Sequence, residues 1–141
     1  MLYTELQKLK SLYIDFPVNH ILFNEKDHCD TFYILVSGII ELIKDKKTIL
    51  FIENPGEYIE VMPYLLNIPH YYSAKVSSDC TLIKIPNEMA EKIFNQTPEI
   101  SLFIAKSLAK KFKEVIDLVI KLKNKKDFKA VQDVLNKHSL I

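Results

Sequence analysis

Between Val18 and Ile85 the chain carries short runs of β-branched and aromatic residues, broken about every eight positions by polar or turn-forming ones. That rhythm predicts half-buried strands in a sandwich or barrel, at His20–Asn24, Thr31–Val36, Ile39–Lys44, Thr48–Glu53, Tyr58–Val61, Tyr71–Ser77 and Thr81–Ile85. Asp45, Lys46 and Lys47 form a polar hairpin tip, and Asn54-Pro55-Gly56 has the order of a type II turn, with proline presetting one dihedral and glycine supplying the next. A single helical turn is expected at Tyr64–Leu66. Ahead of the strands, Leu2, Leu6, Leu9 and Leu12 recur at helical spacing and predict an amphipathic helix over MLYTELQKLKSLY. Gly38 and Gly56 are the only two glycines. Each falls where the strand pattern breaks, so both are expected to hold backbone angles that other residues resist.

After Pro86 the period changes from two to helical. A short helix is expected from Asn87 to Phe94, then a long one that starts at Thr97-Pro98-Glu99, a hydroxyl cap followed by proline and an acid near the positive end of the dipole. No breaker follows until Asn124. Leu108, Phe112, Val115, Val119 and Leu122 repeat at spacings of 4, 3, 4 and 3, the period of a coiled-coil seam, with Ile104 and Ile116 widening the stripe. Packing on the chain's own barrel would account for such a stripe; Ile100–Ala105 already supplies apolar surface for that, so a parallel homodimer seam is the favoured reading of the later heptads. Phe128, Val131 and Leu135 mark a further short helix. The expected divisions are 1–97, 98–125 for the long helix, and 126–141.

With 141 residues, 48% of them hydrophobic, and a net charge of +1, the chain suits one ordinary folded domain and excludes a disordered tail. No apolar run approaches the roughly 18 to 20 residues that span a bilayer, and the N-terminus lacks the pattern of a signal peptide. A cytoplasmic protein without membrane contact is expected. The two cysteines, Cys29 and Cys80, are too few for a disulfide framework or iron–sulfur cluster. All 19 basic residues are lysine. Planar bidentate capture of phosphate by a guanidinium is therefore closed to this chain. Nine lysines against three acids between Lys106 and Lys129 give that stretch a net charge of +6, read as a solvated helix face, with non-specific phosphate contact as the functional alternative.

The segments ILFNEKDHCDTFYILVSGIIEL, NPGEYIE and CTLIKIPNEMAEKIFNQTPEI, in that order and running into the long helix, resemble the sensor domain of Crp/Fnr transcription regulators, whose cyclic-nucleotide-binding fold is shared by kinase regulatory subunits and channels. Phe23, Asp27, Tyr33, Ile34 and Gly38 stand at the family's landmarks, and the resemblance covers about Phe16 to Leu122. It implies a mainly β fold with helices: a double-stranded β-helix, or jelly roll, with an N-terminal helix and a long C-terminal dimerisation helix. It also implies a phosphate cassette in which a glycine and a glutamate follow the PG turn, with an arginine and a small residue some ten positions later. An ungapped reading puts Glu60 at that glycine, Val61 at the glutamate and His70 or Tyr71 at the arginine; a slip of one residue restores Glu60 as the ribose-holding carboxylate. Nothing restores the arginine. In register from Pro98, the positions that would offer hydroxyls to the base are Val115 and Ile116. Weak or absent cyclic AMP binding is expected, with Lys75 the alternative source of charge.

The effector-pocket candidates are thus Glu60, Val61, His70, Tyr71, Tyr72, Ser73, Val115 and Ile116. No catalytic residue is assigned, because the chain has no nucleophile elbow or glycine-rich phosphate loop. No metal site is assigned either: His20, His28, His70 and His138 are scattered, the histidine pair of metal-binding cupins is missing, and adjacent His28 and Cys29 would point to opposite faces. Haem ligation by His70 or Cys80 has only residue type in its favour. The expectation is a non-catalytic, homodimeric effector-sensing domain with no resident cofactor and an unidentified small-molecule effector, acting on DNA only through a C-terminal domain outside this chain. The alternative is a stand-alone protein-interaction module using the basic helix.

Overall fold

The computed structural model describes residues 3–122 and 125–138. The chain forms two compact units, Met1–Ser101 and Leu102–Ile141. The first begins with a short helix, α1 (Tyr3–Lys8), and a 3-10 turn at Lys10–Leu12, followed by strands β1 (Tyr13–Phe16), β2 (Ile21–Phe23), β3 (Thr31–Lys44), β4 (Lys47–Ile52) and β5 (Tyr58–Ile59). Helix α2 (Val61–Leu66), strand β6 (Ser73–Pro86), helix α3 (Asn87–Gln96) and helix α4 (Pro98–Leu122) follow. Every pairing is antiparallel. The strand order is β1-β6-β3-β4, with β2 also on β6 and β5 also on β3. This is the antiparallel β-roll with flanking helices that the resemblance implies.

The core lies between the long strands β3 and β6. Thr31 to Leu35 are all buried, a continuous run that only a strand covered on both faces can carry. Across the ladder Phe32 meets Ile85, Ile34 meets Ile83 and Leu35 meets Leu82, and all six side chains are fully enclosed. Burying each stabilises the unit by about 1.5–3 kcal/mol.

Two pairs of expected strands are each one continuous strand. Thr31–Val36 and Ile39–Lys44 join through Gly38, and the strands expected at Tyr71–Ser77 and Thr81–Ile85 join as β6, which starts only at Ser73 and leaves Tyr71 and Tyr72 in the loop before it. The ladder survives the break because the opposite strand supplies partners through shifts of register near Ser37 and Ile39. Gly38 holds φ +99°, and a Cβ there would land on that of Cys80 and lie 2.7 Å from the Asp79 carbonyl oxygen. Gly56 holds φ +91° and, with Glu57 N–H donating to the Asn54 carbonyl at 3.1 Å, completes the expected type II turn. The hairpin tip is shorter than predicted. Asp45 and Lys46, at φ 50° and 65°, make a two-residue connection with the sign pattern of a type I′ turn, and Lys47 already belongs to β4.

The N-terminal helix is also shorter than its leucine spacing suggests. Leu6 and Leu9 are buried as expected, while Leu2 lies outside the described residues. Tyr13–Phe16, however, pairs with Cys80–Ile83 as an edge strand. Pro17 favours an extended residue before it, and the aromatic and β-branched side chains suit a sheet edge. Val61, expected at the end of a strand, instead opens α2.

In the second unit, α4 continues through the predicted seam, and α5 (Lys125–His138) takes the place of the expected 126–141 helix. Leu108, Phe112, Ile116 and Val119 are half-buried, and Val115 is 57% exposed. The Leu122 side chain lies outside the described residues. No helix among the described residues is long and apolar enough to cross a membrane.

Candidate functional site

The site is built where β5 hands over to α2. Tyr58 and Ile59 pair with Ile34 and Tyr33, and Gly56 N–H donates to the Leu35 carbonyl at 2.7 Å, so the strand is fixed against β3. The next residue, Glu60, turns the chain at φ 65°, ψ 30°. This left-handed conformation costs a non-glycine residue about 1–2 kcal/mol. Helix α2 buries Val61 and Pro63 and leaves Met62, Leu65 and Leu66 exposed. It ends on Asn67, again left-handed, with Ile68 N–H donating to the Pro63 carbonyl at 3.1 Å.

The loop after α2 brings His70 back to the end of β5. His70 N–H donates to the Asp27 carbonyl and Lys26 N–H to the His70 carbonyl, both at 2.8 Å. These bonds tie the segment to the loop between β2 and β3. The Phe23 ring stacks on the imidazole at 3.9 Å between centroids, nearly parallel at 5°. Glu60 Oε2 lies 3.1 Å from His70 Nδ1 and accepts a hydrogen bond of 3.1 Å from Tyr71 N–H. Only 2% of the Glu60 side chain and 6% of the His70 side chain meet solvent.

Burial pushes the Glu60 carboxyl above its ordinary value, and the His70 hydrogen bond and the Tyr71 amide pull it partway back. Cys29 completes the cluster. Its Sγ donates to the Thr31 carbonyl at 3.6 Å and lies 4.0 Å from the Glu60 carbonyl oxygen. Burial raises the thiol, so it is a poor nucleophile as it stands. One ligand atom from each of Cys29, Glu60 and His70 lies within 4.8 Å of the others, and all three residues are buried.

Of the predicted pocket residues, the structure brings Glu60, His70 and Tyr71 together. Tyr71 carries Lys44 Nζ 3.9 Å over its ring and meets Tyr72 edge to face at 4.9 Å. Tyr72 packs on the core. The Ser73 hydroxyl accepts from Glu25 N–H at 2.9 Å. Val61 is buried apolar surface at the start of α2. Lys75 stands on β6 opposite Ile21 and Glu41, and Val115 and Ile116 lie on α4 in the second unit. Sequence reasoning missed Cys29 as a neighbour of Glu60 and His70. His28 and Cys29 do take opposite environments, exposed and buried, but the buried thiol faces a segment far along the chain. A cavity of about 370 Å³ borders His70 and is lined also by Phe23, Asp27, Asp30, Tyr33 and Lys84, within the range of small-molecule sites.

The family model described as cyclic nucleotide-binding domain matches residues 13–97, which include all of this site. Among solved structures, the Thermus thermophilus catabolite activator protein superposes with a TM-score of 0.69 at 22% identity, covering 86% of this chain and 60% of that one. A transcriptional regulator from Thermotoga maritima gives 0.69 at 19% identity, covering 84% of this chain and 97% of that one. A cyclic nucleotide-binding domain from Methylobacillus flagellatus gives 0.67 at 19%, covering 87% and 75%. A lysophospholipase of Chaetomium globosum is 24% identical over 117 residues, 75% of this chain but 8% of that protein. At such identities the likeness establishes the fold alone.

Proposed function

The chain belongs to the cyclic nucleotide-binding domain family, and from that premise we propose that it is a non-catalytic effector-sensing domain, like those of Crp/Fnr regulators, that does not use cyclic AMP. The observation that carries this reading is the Glu60–His70 pair. In the resemblance, a carboxylate at the end of the PG strand and a cation some ten positions later face the cyclic phosphate and ribose. In this chain Glu60 and His70 stand ten positions apart and face each other at 3.1 Å instead. A nucleotide that engaged Glu60 would have to part this buried hydrogen-bonded pair, a loss of about 1.5–3 kcal/mol. It would then leave its phosphate without a guanidinium, since the chain has no arginine.

On this reading an effector acts by shifting the α2 segment and the loop to His70, whose contacts reach β2, β3 and β5. The response passes to a homodimer formed through Leu108, Phe112, Val115, Val119 and Leu122 of α4. In a complete regulator it would reach DNA through a further domain. Calorimetric titration with cyclic AMP tests the nucleotide part: no saturable heat is expected up to about 1 mM. Binding a hundredfold tighter than that would stabilise the fold by about 2.7 kcal/mol and would overturn the reading.

A further inference from the structure

We propose that Cys29, Glu60 and His70 form a binding site for a thiophilic divalent cation of the zinc and cobalt class. The proposal deepens the sensing reading, on which it rests, by naming the effector as a metal ion.

Three different donor chemistries converge. A thiol, a carboxylate oxygen and an imidazole nitrogen lie within 4.8 Å of one another, from the loop before β3, the start of α2 and the loop before β6, the first and last of which are joined by backbone hydrogen bonds. An ion bonded to sulfur at about 2.3 Å and to nitrogen and oxygen at about 2.0–2.2 Å holds its ligands roughly 3–4 Å apart. The cluster therefore needs movements of an ångström or less. The Glu60–His70 distance of 3.1 Å already suits such a set. Sulfur and imidazole select zinc, cobalt or copper over calcium and magnesium, which take oxygen.

The surroundings orient the donors as the outer contacts of a metal site do. Phe23 fixes the imidazole plane, Tyr71 N–H holds the carboxylate, and the Thr31 carbonyl aims the thiol. The cavity beside His70, with Asp27, Asp30 and Lys84 in its wall, reaches the imidazole side of the cluster. As the ion binds, the Cys29 thiol proton and the proton held between Glu60 Oε2 and His70 Nδ1 leave to solvent. Three protein ligands leave a fourth tetrahedral position for water or an added ligand. Binding would link the loop before β3, the start of α2 and the loop before β6, the segments whose coupling the sensing reading requires.

The test is titration of chelator-stripped full chain with cobalt(II), read by absorption and by calorimetry. A sulfur-to-cobalt charge-transfer band and the d–d bands of a tetrahedral ion are expected at one equivalent. Because the chain has only two cysteines, Cys80→Ala leaves Cys29 as its sole thiol, and the band should persist there unchanged. Cys29→Ser should abolish it, and His70→Gln, which removes a direct ligand, should lower affinity by more than the roughly ten- to hundredfold that loss of an outer contact costs. His28→Asn should leave it intact. No charge-transfer band in wild type or Cys80→Ala, or a band that His28→Asn removes, overturns the proposal, and the wild-type and Cys80→Ala arms decide it even if a site variant does not fold. Cyclic AMP added to the same stripped sample separates the two readings. Silence toward both ligands sinks the metal site alone, whereas saturable nucleotide binding sinks the sensing reading beneath it.

Discussion

Replacing His70 by alanine probes the Glu60 pair directly, and the structure sets both the size of the effect and its dependence on pH. The substitution removes the partner 3.1 Å from Glu60 Oε2 and the ring stacked on Phe23, leaving a carboxylate whose side chain is 2% exposed with the Tyr71 amide. Where Glu60 is ionised, losing the hydrogen bond to the carboxylate and the stacked ring costs about 2–4 kcal/mol. Where it is protonated, the loss shrinks to the stacked ring and a hydrogen bond, about 1–2 kcal/mol.

The sign follows from which state holds the proton. Glu60 titrates above its ordinary 4.5 in the folded chain because of burial, and His70 is among the groups that lower it, so the variant raises it further. Between the unfolded and folded values the native state binds more protons than the unfolded state. Stability therefore falls as pH rises from 4.5, by at most about 1.4 kcal/mol per unit. Urea unfolding with chelator present should show the His70→Ala loss growing as pH rises from about 5 to about 8, by about 1–2 kcal/mol in all. Adding Glu60→Gln, which removes the buried charge, should recover about 1 kcal/mol at the higher pH and flatten the profile. Parallel wild-type and variant profiles, or no recovery in the double variant, would refute the argument.

Two further substitutions test the fold and the assembly. Gly38→Ala must place a Cβ on that of Cys80 at φ +99°, which combines backbone strain and overpacking. A loss of about 2–6 kcal/mol is expected by chemical denaturation, and a change below about 1 kcal/mol would show that the β3–β6 crossing is looser than described. Phe112→Asp puts a charge in the middle of the proposed seam. Sedimentation should find wild type dimeric and the variant monomeric, and identical monomers would remove the seam from the account.

The β-rich middle of the chain was legible because its apolar runs are short, branched and bounded by turn residues, and Gly38 and Gly56 were legible because a glycine-poor chain keeps them only where φ is positive. Strand continuity was not. Gly38 reads locally as an end, while the pairing of Ser37 with Thr81 and Ile39 with Ser78 that carries β3 past it depends on a partner strand some forty residues away. Tyr13–Phe16 was absorbed into the leucine repeat before it, and only its edge position on β6 makes it a strand.

At the site, the identities of Glu60, His70 and Tyr71 were legible from the resemblance, but their mutual contact was not. It depends on a left-handed turn at Glu60, a conformation its side chain disfavours, and on backbone bonds from His70 to Lys26 and Asp27 that no side-chain pattern encodes. The same bonds carry the loop containing Cys29, so its approach to Glu60 was equally hidden.

The most direct measurement of the central claim is a heteronuclear magnetic resonance titration of the isotopically labelled chain with cyclic AMP, following the Tyr71 amide and the His70 ring. Both groups hold Glu60 in the free chain. The account predicts that their resonances stay in place at millimolar nucleotide; a saturable shift of both, as Glu60 exchanges them for the ribose, would contradict it.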